Sequence, residues 1–151
     1  MNAIIRIEQV NPDLDPGVQD VLKASRLMAL DTTREDTISL AASMPESGVV
    51  GCAAVEKYGE NGLLRSVAVL PDRRGQHLGE YLVTAAEAES VEAGIDALYL
   101  LTETAEAFFD RLGYDVVDRT DVPEAVLASD QFAKLCPSSA VAMRRRLTSE
   151  D

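Results

Sequence analysis

Residues Leu63–Gly79 read LLRSVAVLPDRRGQHLG, and the rest of the chain is organised around them. The apolar run Leu63–Leu70 predicts a strand, with Arg65 as its one charge. Pro71-Asp72 makes a turn, Arg73 and Arg74 follow, and Gly75-Gln76-His77-Leu78-Gly79 forms a loop. An amphipathic helix is expected from Gly79 to about Ala93. A strand that runs through a glycine-containing loop into a helix N-terminus traps anions, because the first helical N–H groups lack intrahelical partners and the helix dipole favours negative charge there. Glycine lets a ligand approach the backbone closely. Two arginines at the mouth add mobile positive charge, so a phosphate or pyrophosphate is the expected ligand.

Two familiar phosphate motifs are excluded. No glycine is followed by Lys-Ser or Lys-Thr, so this is not a Walker loop. Gly75 and Gly79 do not have the GxGxxG spacing of dinucleotide-binding turns. Composition narrows the field further. With 151 residues, 46% hydrophobic and 26% charged, the chain reads as one globular domain, 1–151, large enough to bury a core. The net charge is −12, and of 14 basic residues only Lys23, Lys57 and Lys134 are lysines. Such an acidic surface argues against nucleic acid or an anionic membrane as partner, and it suits either a high-salt cytoplasm or an ordinary acidic protein. The N-terminal residues lack the pattern of a secretory signal. Two cysteines and one histidine give neither a disulfide framework nor a metal site, so a reducing cytoplasm is expected, without a metal.

Around the central stretch, strands are expected at Ala3–Val10, Thr37–Ser43 and Val49–Lys57, with Asn61-Gly62 as a tight hairpin turn into the central strand. Pro16 opens a first helix toward Leu30. Beyond the central helix, Gly94 is a stop. Ala97–Thr102 is a buried strand parallel to the central one. Thr104 caps a short helix, Ala105–Leu112, ended by Gly113. Tyr114–Asp118 and Ser139–Leu147 are the last strands, with a short helix or turn between about Val122 and Phe132. The acidic run Glu87–Glu92 reads as a solvated helix face.

SVAVLPDRRGQHLGEYL resembles the acetyl-coenzyme A signature of the GNAT N-acetyltransferases: a strand ending in V-x-V, a turn, then Arg-x-x-Gly-x-Gly opening a helix. Arg74 and Gly79 match its arginine and last glycine, while His77 stands where a glycine is usual. The resemblance implies an α/β fold with a central mixed, mostly antiparallel, twisted sheet. Strands four and five are splayed, and helices cover both faces. It implies acetyl-CoA as co-substrate. Val67 and Val69 would bind the pantetheine. Arg74, Gly75, Gln76, His77, Leu78, Gly79 and Glu80 would hold the pyrophosphate, and Thr104, Phe108, Phe109 and Arg111 would border the cofactor. The backbone of Val69 would serve as oxyanion donor. Phe109 occupies the place where many members carry an acidic tyrosine, which leaves Thr102, Ser138 and Ser139 as hydroxyl candidates, with solvent as the other proton source.

The second half, LYLLTETAEAFFDRLGY and CPSSAVAMRRRL, is similar to the arsenic-resistance and amino-acid N-acetyltransferases. That likeness implies a small amino-acid-like acceptor, with a homodimer left open. Arg65 is the candidate clamp for an acceptor carboxylate, against an ion pair or a solvated face, and Arg26 is a second candidate. Rival functions on the same fold are a peptide N-acetyltransferase and a non-catalytic coenzyme A-binding module.

Overall fold

The computed structural model describes residues 5–10, 16–24, 36–75, 77–129, 132–133 and 140–147. In chain order the elements are β1 (Arg6–Gln9), α1 (Pro16–Ala24), β2 (Thr37–Met44), β3 (Gly48–Tyr58), β4 (Asn61–Val69), α2 (Leu78–Glu92), β5 (Ala97–Thr102), α3 (Glu106–Arg111), β6 (Asp115–Val116), α4 (Glu124–Leu127) and β7 (Val141–Arg146). The strands form one mixed sheet in the order β1-β2-β3-β4-β5-β7-β6. Only the β4–β5 pair is parallel. This is the expected α/β architecture.

Side-chain alternation assigns the helices to faces. Leu78 and Leu82 of α2 pack with Ala42, Val50 and Ala53, and Val83 and Ala86 pack with Val55, Leu64, Leu98 and Leu100. The opposite face carries the neighbouring positions. Val18 and Val21 of α1 lie on Ala41, Cys52 and Ala54, and Val126 of α4 lies with Leu63, Tyr99 and Leu101. Helices thus cover both faces, each burying a row of alternate strand residues. No helix among the described residues is long and apolar enough to cross a membrane.

Three local expectations are corrected. The β3–β4 hairpin closes at Tyr58↔Asn61, so its two loop residues are Gly59 and Glu60, not Asn61-Gly62. Gly59 takes the positive φ, +66°, that the tight turn needs, whereas Gly62 lies flat in β4, where an added Cβ would stand 2.7 Å from a Leu98 methyl carbon. Thr104 does not cap α3. No side chain does: the N-cap is Ala105, whose own N–H donates to Thr102 Oγ1 at 2.9 Å. Glu87 is not a solvated residue. It accepts from Tyr114 O–H at 2.9 Å and from Arg145 Nη1 at 3.0 and 2.9 Å, which ties α2 to the strand β7. The stops at Gly94 and Gly113 have φ of +84° and +96°, the left-handed region in which glycine ends helices.

The feature that positions the site is the short β4–β5 ladder. It holds only Asn61↔Ala97, Gly62↔Leu98 and Leu63↔Tyr99. Past Leu63 the two strands separate, which is the splay the sequence resemblance implied.

Candidate active site

The wedge between β4 and β5 opens into a cleft of about 810 Å³. Val67, Ala68 and Val69 line it from β4; Arg73, Arg74, Gly75, His77, Leu78, Gly79 and Glu80 from the loop and the start of α2; and Thr104, Ala105, Phe108, Arg111 and Leu112 from the α3 side.

The backbone of β4 is turned toward this cleft by a bulge. Cys52 pairs with Ala68 and Ala54 with Arg65, so Ala53 alone faces both Ser66 and Val67. Ser66 takes φ +57° to make the extra step. Antiparallel partners alternate between hydrogen-bonded and non-bonded pairs. Leu70 N–H donates to Val50 C=O at 2.8 Å, so Val69 must direct its own N–H and C=O the other way, toward the unpaired side. Arg74 Nε confirms the direction by donating to the Val69 carbonyl at 3.2 Å. The cleft therefore presents an open strand edge beside a cationic side chain.

The loop leads into the helix N-terminus. Gly75 and His77 have φ of +84° and +63°. His77, standing where the motif has glycine, thus adopts the left-handed conformation that costs an L-residue about 1–2 kcal/mol. It is the residue preceding α2, makes no side-chain cap, and lies 3.4 Å from the Glu80 carboxylate. Arg73 donates to Ser47 Oγ on the β2–β3 turn, which fixes it at the rim. Gly79 lies beneath Phe108, whose Cζ would be 3.3 Å from an added Cβ.

The remaining sequence candidates are placed elsewhere. Phe109 does not line the cleft. It is 7% exposed, with its ring 5.0 Å from that of Phe108 and 5.5 Å from that of Tyr114, both edge-on. Consecutive helical residues point about 100° apart, so only one of the two phenylalanines can face the wedge. Thr102 is buried, does not line the cleft, and its Oγ1 accepts from Ala105 N–H. Arg65 does not reach the cleft lining either. Its side chain is 1% exposed, and Nη1 lies 2.6 Å from Glu56 Oε2. An acceptor carboxylate would have to displace Glu56 to be clamped there. Gln76, Arg26, Ser138 and Ser139 lie outside the described residues.

Sequence reasoning missed Glu56 and Ser66. Cys52 is buried beneath the bulge and donates from Sγ to the Ser66 carbonyl at 3.3 Å. Its burial pushes the thiol up to about 12, so it is protonated and inert at neutral pH.

The contents of the cleft suit a long ligand with an apolar arm and an anionic end. Val67, Val69 and Phe108 offer apolar walls beside open backbone, and the α2 N-terminus with Arg74 and Arg111 offers positive potential. Comparison with known proteins points the same way. Residues 36–116 match the acetyltransferase (GNAT) domain family. An uncharacterized N-acetyltransferase of Chlorobaculum tepidum is 34% identical over 79 residues, 52% of this chain and 50% of that protein. An amino-acid acetyltransferase of Mannheimia succiniciproducens is 30% identical over 78 residues, 50% of this chain and 18% of that one. This chain thus spans half or less of the length of these curated relatives. Among solved structures, N-acetylglutamate synthase from Neisseria gonorrhoeae, complexed with coenzyme A and N-acetyl-glutamate, superposes with a TM-score of 0.80 at 19% identity, over 99% of this chain and 36% of that one.

Proposed function

The chain belongs to the GNAT acetyltransferase family, and from that premise we propose that it transfers an acetyl group from acetyl-CoA to the primary amine of a small amino-acid-like acceptor, by direct attack in a ternary complex. The observation that carries the proposal is the wedge itself, an unpaired β4 edge that runs straight into a helix N-terminus.

Acetyl-CoA supplies the acyl group as an activated thioester. The chain's own residues do the rest by position. Val67 and Val69 offer backbone groups to the pantetheine arm, and Phe108 walls it from the α3 side. The amides of His77, Leu78, Gly79 and Glu80, with Arg74, hold the pyrophosphate. The Val69 N–H is the oxyanion donor, preorganised because its strand partner is absent. Bringing the two substrates together in this wedge supplies much of the rate. With Phe109 and Thr102 both outside the cleft lining, no side chain is assigned as general acid, and solvent protonates the departing thiolate. The amino-acid class of acceptor rests on the amino-acid acetyltransferase relatives. A reducing cytoplasm is the proposed compartment.

The test is thiol release from acetyl-CoA against a panel of amino acids, glutamate analogues, polyamines and peptides, at low and high salt. Release that depends on an amino-acid-like amine is expected. Release with peptides alone would move the assignment to a peptide acetyltransferase. Tight coenzyme A binding without release across the panel would leave a binding module.

A further inference from the structure

On the face of the sheet away from α2, a buried file of polar side chains ends at the β4 bulge. Tyr58 O–H donates to Glu56 Oε1 at 2.5 Å, Arg65 Nη1 to Glu56 Oε2 at 2.6 Å, and Arg65 Nε to Ser66 Oγ at 3.3 Å. The side chains of Arg65 and Glu56 are 1% and 4% exposed. Stability alone does not account for such a pair. Two charges taken out of water carry a large desolvation cost, and well-packed apolar residues of similar volume commonly do as well or better.

What the file touches is more specific. Ser66 holds a backbone conformation that L-residues rarely adopt, and it is the step that resets the register of β4. Without that step the positions bonded to β3 would run Arg65, Val67, Val69. With it they run Arg65, Ala68, Leu70. The bulge therefore decides whether the N–H of Val69 is spent on β3 or faces the cleft. Arg65 grips the bulge from its side chain, and Cys52 Sγ grips the Ser66 carbonyl from the neighbouring strand.

We propose that Tyr58, Glu56 and Arg65 are a positioning device, which holds the Ser66 bulge and through it aims the Val69 N–H into the cleft. Arg65 then acts through Ser66 and makes no contact with the acceptor. The catalytic consequence rests on the function proposed above; the structural consequence does not.

Removing Arg65 alone leaves a buried carboxylate and risks the fold, so the informative variant is the apolar pair Glu56→Met with Arg65→Met. Three properties are compared with wild type: thermal stability, amide hydrogen exchange and chemical shifts of Ser66–Leu70 in the ligand-free protein, and steady-state kinetics. The expected result is a folded protein of near-native stability in which the Ala68 and Leu70 amides, which the bulge bonds to β3, exchange at least ~10-fold faster, while the Val67 and Val69 amides shift. The kcat falls ~10- to 100-fold, the scale of a small misplacement of a reacting group, while both KM values change less than about threefold. Adding Ser66→Gly, which adopts the bulge conformation without strain, should restore slow exchange and part of kcat. A double variant with native exchange and native kcat would reduce the file to packing and overturn the proposal. A selective rise in acceptor KM, with the bulge amides unchanged, would overturn it in favour of a carboxylate clamp. If no acceptor supports turnover, the exchange data still decide the structural claim.

Discussion

Replacing Gly79 with alanine separates what the helix wants from what the ligand needs. Gly79 is the second residue of α2, and alanine there gains about 0.5–1 kcal/mol of helix stability over glycine. Against that, the new Cβ would stand 3.3 Å from Phe108 Cζ, 3.6 Å from Phe108 Cε1 and 4.0 Å from a Val69 methyl carbon. Carbon atoms are at ease at about 3.5–4.0 Å, so the tip of a partly exposed ring has only to yield a few tenths of an ångström. The two effects nearly cancel, and the melting temperature should move by no more than about 2–4 °C. On the proposed placement of the pyrophosphate, however, the methyl group intrudes on the first amides of α2 within the cleft. Loss of one hydrogen bond to a charged group removes about 1.5–3 kcal/mol, which weakens coenzyme A binding ~10- to 150-fold. Calorimetric titration with coenzyme A, beside a thermal melt of the same sample, reads both quantities. A folded variant whose dissociation constant stays within about twofold of wild type would refute the placement of the pyrophosphate at this helix N-terminus.

Three further outcomes are expected. Phe109→Tyr, which reinstates the family's tyrosine, should not raise kcat, because its hydroxyl would enter the core against Tyr114; a stability loss of about 1–3 kcal/mol in urea melts is expected, and a rise in kcat would show that the ring reaches the wedge. Thr37 Oγ1 is buried without a hydrogen-bond partner, so Thr37→Val, which keeps the strand-favouring branch, should stabilise the fold by about 1 kcal/mol, and a lowered melting temperature would contradict it. The Cys52 thiol ionises at 9.0 when unperturbed and at about 12 in the fold. The folded state therefore retains a proton that the unfolded chain releases, and this contribution is complete below pH 9 and lost as pH rises toward 12. Cys52→Ala should show a shallower alkaline decline in stability than wild type between pH 8 and 10.5, and parallel declines would rule out the burial effect.

The fold and the loop side of the cleft lining were legible because they are local. A strand, a turn, two arginines, a loop and a helix follow one another within Leu63–Gly79, and each announces itself by residue type. What escaped was set by neighbours distant in sequence. Nothing near Arg65 says that Glu56, on the adjacent strand, takes its guanidinium. The bulge at Ser66 carries no glycine to mark it. Asn61-Gly62 is the stronger turn signal, yet the turn falls at Gly59 because Gly62 is needed where Leu98 and Val55 crowd the backbone. Phe108 and Phe109 are indistinguishable in sequence; only the direction of α3 sends one to the wedge and the other to the core.

The three-rung ladder between β4 and β5 gives the sheet the mechanics of a clothes-peg. Two long-ladder halves meet at a short pivot, and the jaw width at Val69 is set by how closely they press together there. The pivot contains Gly62, where even one methyl group would fall 2.7 Å from Leu98 Cδ2 and 3.0 Å from Val55 Cγ1. Because the jaw lies several residues further along the same strand, a small spreading at Gly62 is levered into a larger one at the wedge. A substitution at this closed end, at a position outside the cleft lining, would therefore be expected to change how the jaw fits its contents while every residue lining it stays the same.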